Sequence, residues 1–418
     1  MIFIILLIVL AILGMPLFAI LASAGLYSSY AADLDPVILI IEMYRLANQP
    51  NLIAIPLFTL AGMTMAAGGA PQRLIKLFDA LFGWMPGGLA IVTIVSCAFF
   101  TALTGASGVT IIALGGLLYP LFKQADYRDS FTTGLLTSSG SLGLLFPPSL
   151  AVILYGIISG VSIDQLFLAG LIPSLILLIL LSLYSYKSAS KWKIKSHEFS
   201  VSNLVNAIKS SYWDLLLPTI IIIGIFGGIL TITEAAAITA ILSLIIEVII
   251  YKELNIKKDL PAILIDTSTL VGSILIILGV AMGLTNLLID SQLPMRLLQL
   301  VTDNINSQLH FLILLNIFLL VVGSIMDIFS AIIVVAPLIF PLARQFNIDP
   351  VHLGIIFLAN LEIGYLTPPV GINLFIACQR FSVSILEIVR STLPFLIIMI
   401  FWLMLISYLP SLSLWWQD

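Results

Sequence analysis

Charge is what this 418-residue sequence has least of: 9% of its residues are Asp, Glu, Lys or Arg, while 61% are hydrophobic. Soluble domains carry roughly 25% charged and 45–50% apolar residues, so a water-soluble globular fold is excluded. Cysteine is nearly absent too. Cys97 and Cys378 both lie in apolar runs, a pattern that excludes a disulfide framework or a thiolate metal site and reads as buried free thiols. The three histidines, His197 in a basic loop and His310 and His352 beside outer-side segments, read as solvated surface residues. No Ser/His/Asp order, GxxxxGK, HExxH or paired-carboxylate arrangement occurs, so hydrolysis and direct ATP coupling have no signature and an enzyme is not expected. With a net charge of −4 and no long basic run, nucleic acid is not an expected partner. The first apolar run, Met1 to Tyr27, lacks a basic leader and a cleavage-like site near its start, and reads as a retained span.

What is present is a succession of apolar windows, each about 20 residues long, enough to cross a ~30 Å hydrocarbon core. This is the composition of a polytopic, all-α protein of the lipid bilayer. The chain also repeats. A shift of 221 residues pairs Gly62 with Gly283, Pro120 with Pro341, Gly143 with Gly364, Pro147 and Pro148 with Pro368 and Pro369, and Pro173 with Pro394. The first copy covers 51–186 and the second 264–410, joined by a basic linker and scaffold helices at 187–263. Each holds a span (51–69; 264–289) and an amphipathic stretch suited to the interface (71–85; 292–306). Each continues with a hairpin (about 86–122; about 309–344), a helix interrupted at a double proline (about 129–160; about 351–381) and a closing span (165–186; 385–409). Further spans are expected at 212–232 and 234–251, so an even number of crossings separates equivalent spans. The second copy therefore enters from the opposite side, the inverted-repeat architecture of secondary transporters.

Charge distribution orients the chain. If residues 187–211, with the run "KSASKWKIK", are cytoplasmic, only Arg45, Arg296 and Arg344 of the 17 basic residues fall outside, a strong positive-inside bias. Trp84, Trp192, Trp213, Trp415 and Trp416 lie near span ends, as an interfacial belt requires.

Chemistry is expected at the interruptions. Non-helical backbone at membrane depth is tolerated only inside protein or beside a wet cavity. In "SSGSLGLLFPPS" (Ser138 to Ser149) and "NLEIGYLTPPVGIN" (Asn360 to Asn373) the prolines lack amide hydrogens and the glycines allow left-handed turns, which frees carbonyls and amides from the helical ladder. Freed carbonyls suit a small hard cation such as Na⁺, and half-helix amino termini suit a carboxylate. The hairpin tips add Thr104, Ser107 and Thr110 in one copy and Ser324, Asp327 and Ser330 in the other. Acids at mid-membrane are costly, so Asp327 and Glu362 require a cavity or a partner, unless they reach an interface or clamp a helix end. Small-residue packing competes as a role for Ser138, Ser139, Ser141 and Ser149.

The pieces "TGASGVTIIALGGLLYP", "TSSGSLGLLFPPSLAVILYG", "GSIMDIFSAIIVVAPLIFPL" and "NLEIGYLTPPVGINLF", in this order and spacing, resemble the large membrane subunit of tripartite ATP-independent periplasmic (TRAP) transporters. The resemblance covers essentially the whole chain. It implies an elevator-type fold like that of the ion transporter superfamily, with two re-entrant hairpins and two broken helices, in the bacterial inner membrane. It further implies Na⁺-coupled import of an organic acid, a C4-dicarboxylate or sialic acid type, with Na⁺ as coupling ion and no organic cofactor. The implied partners are a small four-helix membrane subunit, expected as a separate polypeptide because nothing here precedes the first span, and a periplasmic substrate-binding protein. Carried over by position, the Na⁺ sites draw on Thr104, Ser107, Ser139, Gly140, Gly143 and Pro147 in the first copy, and on Gly323, Ser324, Asp327, Gly364, Thr367 and Pro368 in the second. Substrate would meet Ser141, Ser149, Asn360, Glu362 and Asn373. At the first tip the family's commoner run is Ser-Gly-Ser-Ser-like, whereas this chain has "TGAS", with Ala106 where a hydroxyl would be expected. A stand-alone Na⁺/dicarboxylate symporter of the same architecture is the alternative, distinguished by transport without a binding protein.

Overall fold

The computed structural model describes residues 3–417 apart from 4–5, 8, 11–12, 32–34, 193–197, 291–298, 300–304 and 306. Lys193, Lys195, His197, Arg296, most of the 292–306 stretch and parts of the first apolar run therefore lie outside the described residues. Among the described residues all regular structure is helical, and eight helices are long and apolar enough to cross a membrane.

Two helices, α1 (Leu17–Ala31) and α2 (Val37–Ala47), precede the first copy. The copy itself runs α3 (Ala54–Ala67), α4 (Ala70–Phe82), the hairpin α5 (Gly88–Thr104) and α6 (Ser107–Gln124), the half-helices α7 (Asp129–Ser139) and α8 (Leu150–Ser159), and α9 (Ile163–Trp192). Then α10 (Val201–Phe226) and α11 (Ile232–Leu244, continued as a π-helical turn to Ile250) lead to the second copy. That copy runs α12 (Leu260–Asp290), the hairpin α13 (Gln308–Ile325) and α14 (Ile328–Gln345), the half-helices α15 (Pro350–Gly364) and α16 (Ile372–Phe381), and α17 (Ile385–Tyr408). α6 and α14 superpose residue for residue on the 221-residue shift, and the cis peptides Pro147–Pro148 and Pro368–Pro369 fall on it as well.

Local chemistry sets the ends. Thr231 with Glu234 and Ser384 with Glu387 form reciprocal capping boxes at the starts of α11 and α17. Asp349 caps α15, its Oδ1 accepting from Val351 N (2.8 Å) and His352 N (3.2 Å), with Pro350 at the first helical position. Gly105, at φ 68°, ends α5 in the left-handed region, where a side chain would be strained, and so makes the first tip tight.

Both hairpins turn back inside the protein. α15 is about 22 Å long at 1.5 Å per residue, short of a full crossing, and its broken end is the point the second tip reaches: Ser324 O accepts from Val370 N (3.2 Å) and Gly371 N (3.0 Å). Glycines allow this approach. A Cβ on Gly364 would lie 2.5 Å from Gly323 Cα, and one on Gly143 2.2 Å from Ala98 O.

Around this core stand α3, α10, α11 and α12, with α1 and α2 against α12. One ion cluster ties the amphipathic α4 to them. Arg73 donates from Nε and Nη2 to Asp214 (2.6 and 2.9 Å), from Nη2 to Glu247 (2.5 Å) and from Nη1 to Glu253, and its guanidinium lies 3.7 Å from the Tyr251 ring centroid. Burial alone would lower the Arg73 pKa, but Asp214, Glu247 and Glu253 together raise it above the ordinary range. Burial likewise pushes Glu253 up, yet Arg73 wins and holds its carboxyl below the usual value.

Helix covers both ends of the basic stretch 187–211: α9 continues to Trp192 and α10 begins at Val201, where Ser200 accepts from Asn203 N (3.4 Å). Two sequence expectations need correction. His352 is not a surface residue: it is 3% exposed, and Ser413 Oγ stands 2.9 Å from its Nδ1. Cys97 is buried, whereas Cys378 on α16 is only half-buried.

Candidate functional site

Both tips and both breaks meet at one cavity of about 310 Å3. The first tip supplies Gly105 to Gly108, the first break Leu144, the second tip Asp327 to Phe329, and the second break Tyr365 and Ile372. The remaining wall belongs to α12, through Leu270, Ser273, Ile274 and Ile277. A direct bond locks the two copies together across the cavity's edge: Ser107 Oγ donates to Asn373 Oδ1 at 2.8 Å, both residues being buried.

The first copy is rich in unsatisfied oxygen. Thr101 Oγ1 donates to Gly140 O (2.8 Å) and lies 2.6 Å from Thr110 Oγ1, so Gly140 and Thr110 are engaged. By contrast the hydroxyls of Thr104, Ser138, Ser139, Ser141 and Ser149 are buried without a hydrogen-bond partner. Gly143 and Pro147 lie in the turns of the first break, where Phe146 N donates to Gly143 O at 3.1 Å. A buried hydroxyl left unpaired costs ~1–3 kcal/mol, so several on one tip and its break suit a ligand rather than hydrocarbon, although none of the five lines the cavity itself.

In the second copy the tip satisfies itself, although Asn360 and Glu362, the counterparts of Ser139 and Ser141, keep unpartnered oxygens. Asp327 caps α14, its Oδ1 accepting from Phe329 N and Ser330 N (both 3.0 Å) and its Oδ2 from Ser330 Oγ. Tyr365 Oη accepts from Ile328 N (2.8 Å), Ser324 Oγ donates to Val321 O (2.7 Å), and Thr367 Oγ1 donates to Ile363 O (3.0 Å). Gly323 and Gly364 form the backbone contact between hairpin and break, and Pro368 lies in the break itself. Among the described residues Asp327 is the only charged one lining the cavity, and it caps the amino end of α14.

Asn360 and Glu362 do not line this cavity. Asn360 Nδ2 donates to Asn316 Oδ1 (2.7 Å) and Ile356 O (2.8 Å), while Asn316 Nδ2 donates to Ser407 Oγ (3.2 Å), so a buried polar chain joins α15, α13 and α17. Glu362 is fully buried one turn before the break, with both carboxylate oxygens unpartnered. Asn373 sits at the start of α16 with Nδ2 unpartnered.

Three helices begin at the cavity. α14 is capped by Asp327, but α6, preceded by Ala106, and α16, preceded by Gly371 at φ 48°, have no side-chain cap. At α16 the turn itself takes up amides, Asn373 N donating to Tyr365 O (3.2 Å) and Leu374 N to Gly371 O (2.8 Å), so it is the start of α6, at Ser107 and Gly108, that is receptive to an anion. Sequence reasoning did not single out Tyr365 or the α12 wall. The wall positions recur at helical spacing, but three of the four are apolar in a mostly apolar span, so that spacing does not stand out.

Two discontinuous helices and two hairpins, related by an internal repeat and enclosing a cavity with bare helix ends inside a multi-pass membrane protein, define a secondary-transporter fold. A solved structure of the Alcanivorax borkumensis YdaH transporter shares that fold, with a TM-score of 0.62 over 89% of this chain and 87% of that one at 12% identity. The family model described as "Tripartite ATP-independent periplasmic transporter, DctM component" matches residues 4–412, and the chain belongs to this family of large permease subunits. Its relatives include the C4-dicarboxylate TRAP transporter large permease protein DctM of Vibrio cholerae, 35% identical over 393 residues, 88% of this chain and 86% of that protein. They also include the sialic acid TRAP transporter permease protein SiaT of Haemophilus influenzae, 32% identical over 371 residues, 88% of this chain and 60% of that longer protein.

Proposed function

We propose that this subunit imports a small organic acid across a bacterial inner membrane, driven by Na⁺, together with a small four-helix membrane subunit and a periplasmic binding protein. The observation that carries the reading is a 310 Å3 cavity lined by both tips and both breaks, with unpartnered buried hydroxyls on the first tip and break beside it in the chain. Unpartnered hydroxyl oxygens of the first tip and break offer ligands for Na⁺, while the uncapped start of α6, with Asn373 Nδ2, offers donors to a carboxylate. Thr104, Ser139 and Ser149 are the favoured Na⁺ ligands, and Asp327 contributes negative charge nearby.

Na⁺ bound first would neutralise part of that negative charge, order the breaks and raise affinity for the acid. Coupling requires this kind of unequal affinity between states. Each net positive charge moving down 100 mV contributes ~2.3 kcal/mol, so the potential adds to the Na⁺ gradient when two Na⁺ accompany a monoanion or three a dianion, while two with a dianion draw on the gradient alone. The two hairpins and two broken helices would then move as one body against α3, α10, α11 and α12, an elevator-type exchange of access.

C4-dicarboxylates and sialic acid are the first candidates, both named for relatives. The test is uptake of labelled succinate and N-acetylneuraminate into proteoliposomes holding both membrane subunits, with and without the binding protein and with Na⁺ replaced by K⁺. Uptake of one acid only with Na⁺ and binding protein is expected. Equal uptake in K⁺ would overturn Na⁺ coupling, and equal uptake without binding protein would point to a stand-alone symporter.

A further inference from the structure

A second cavity, of about 490 Å3, lies between α12, α14 and the end of α8. α12 gives Leu270, Ile274 and Ile277 to the central cavity and Leu278, Met282 and Asn286 to the second, a spacing that keeps all of them on one side of the helix. α14 likewise gives Ile328 and Phe329 to the first and Ile333, Pro337 and Arg344 to the second. The two cavities thus lie end to end along a single helix–helix seam, about one turn apart.

The mirror-related side of the molecule is built differently. There α3 is pressed against the first tip, and a Cβ on Gly62 would lie 2.4 Å from Leu103 O, whereas its counterpart Gly283 faces Leu39 of α2.

Arg344 stands at the far end of the seam, exposed, in the last turn of α14. Among the described residues it is the only charged one lining the second cavity, and no ion pair engages it there. Thr285 and Asn286 add polar atoms beside it. A guanidinium is a fork-shaped donor matched to a carboxylate, and here it marks the entrance of a groove whose inner end reaches the uncapped helix starts. The charge distribution assigns this end to the outer face of the membrane.

We propose that the α12–α14 seam is the entry route of the organic acid from the outside, and that Arg344 is its first carboxylate contact. The inference rests on the transport reading above and adds the path and the receiving residue. The test uses the full complex in proteoliposomes, with initial uptake of succinate and N-acetylneuraminate measured against the concentration of loaded binding protein. Ionic strength is set at about 20 and about 200 mM, on either side of the regime where charges screen within ~10 Å.

Arg344→Gln is expected to raise the half-saturating concentration roughly 3- to 10-fold at low salt with maximal rate within about twofold, the gap narrowing at high salt. Arg344→Lys restores most of the loss. Lys123→Gln, at the mirror-related position and lining neither cavity, leaves the half-saturating concentration unchanged. Arg344→Gln indistinguishable from wild type at both salts overturns the proposal. So does a defect that follows the anionic-lipid content of the vesicles rather than the salt, which would make the groove a headgroup site. In both cases continued Na⁺-driven uptake leaves the transport reading standing, while a wild-type complex that moves neither acid overturns that reading and the route with it.

Discussion

Adding one methyl group where each hairpin meets its broken helix should disable the protein in a way the structure quantifies. In Gly143→Ala the new Cβ would lie 2.2 Å from Ala98 O and 2.4 Å from Ala102 N; in Gly364→Ala it would lie 2.5 Å from both the Cα and the carbonyl carbon of Gly323. These obstacles are backbone atoms, so no rotamer relieves them, and ordinary contact begins only near 3.4 Å. Hairpin and break must therefore part by about 1 Å. Overpacking of this kind costs ~1–3 kcal/mol. A binding constellation opened by about 1 Å also loses function out of proportion to stability. The assay is thermal unfolding in detergent alongside Na⁺-dependent uptake, with Gly272→Ala as reference. Gly272, inside α12, has nothing within 4 Å of the added carbon, so that change removes a helix-weakening glycine without a clash. Gly143→Ala and Gly364→Ala should be less stable than wild type and transport at least about tenfold more slowly, while Gly272→Ala should be neutral or slightly stabilised. If all three behave alike, the close backbone approach does not matter and the reasoning fails.

The remaining expectations concern charges and cross-links. Arg73→Met leaves Asp214 and Glu247 buried without their cation, which should cost ~3–5 kcal/mol and show as loss of folded protein; wild-type yield and melting would refute the clustering argument. Because the Glu253 carboxyl is held below its ordinary value, its contribution is complete above the unfolded pKa and fades as pH falls through the folded one. Acid titration of thermal stability should therefore show a component that Glu253→Gln removes. Asp327→Ala deletes the cap of α14 and should cost ~1 kcal/mol, whereas Asp327→Asn keeps a capping oxygen and most of that stability. Both should raise the Na⁺ concentration for half-maximal uptake, and an unchanged value would remove Asp327 from the ion's surroundings. Ser107→Ala strands Asn373 Oδ1, so it should slow uptake and lower stability by ~1 kcal/mol; in a double-mutant cycle with Asn373→Ala, additivity would deny the coupling.

Much of the fold could be read in advance because its signals are local or periodic. Double prolines cannot sit in an unbroken helix, and their recurrence at 221 residues marks both interruptions before any coordinates. The composition of the tips was equally legible. What they touch was not. Ser107 and Asn373 are separated by 266 residues, and nothing in either motif says they bond. Asn360, which stands beside the break in sequence, turns toward Asn316 because α13 packs on that side of α15. His352 looked like a surface residue near a span end, but the carboxy-terminal segment folds back over it through Ser413. The contrast between the copies was also invisible. Both carry a glycine at the matching place, Gly143 and Gly364, yet Asp327, in place of Ala106, satisfies its own turn, while the first tip leaves the Thr104 hydroxyl free.

The contact of Gly62 with Leu103 and Thr104 has a practical corollary. Backbone meets backbone there with no side chain as cushion, so the fit resembles a closed latch held by the absence of an atom. A methyl at Gly62 would act as a wedge in the latch, penalising this arrangement alone and enriching any in which α3 and the first tip have separated. Imaging of Gly62→Ala is accordingly expected to show α3 and the first tip further apart than they stand here.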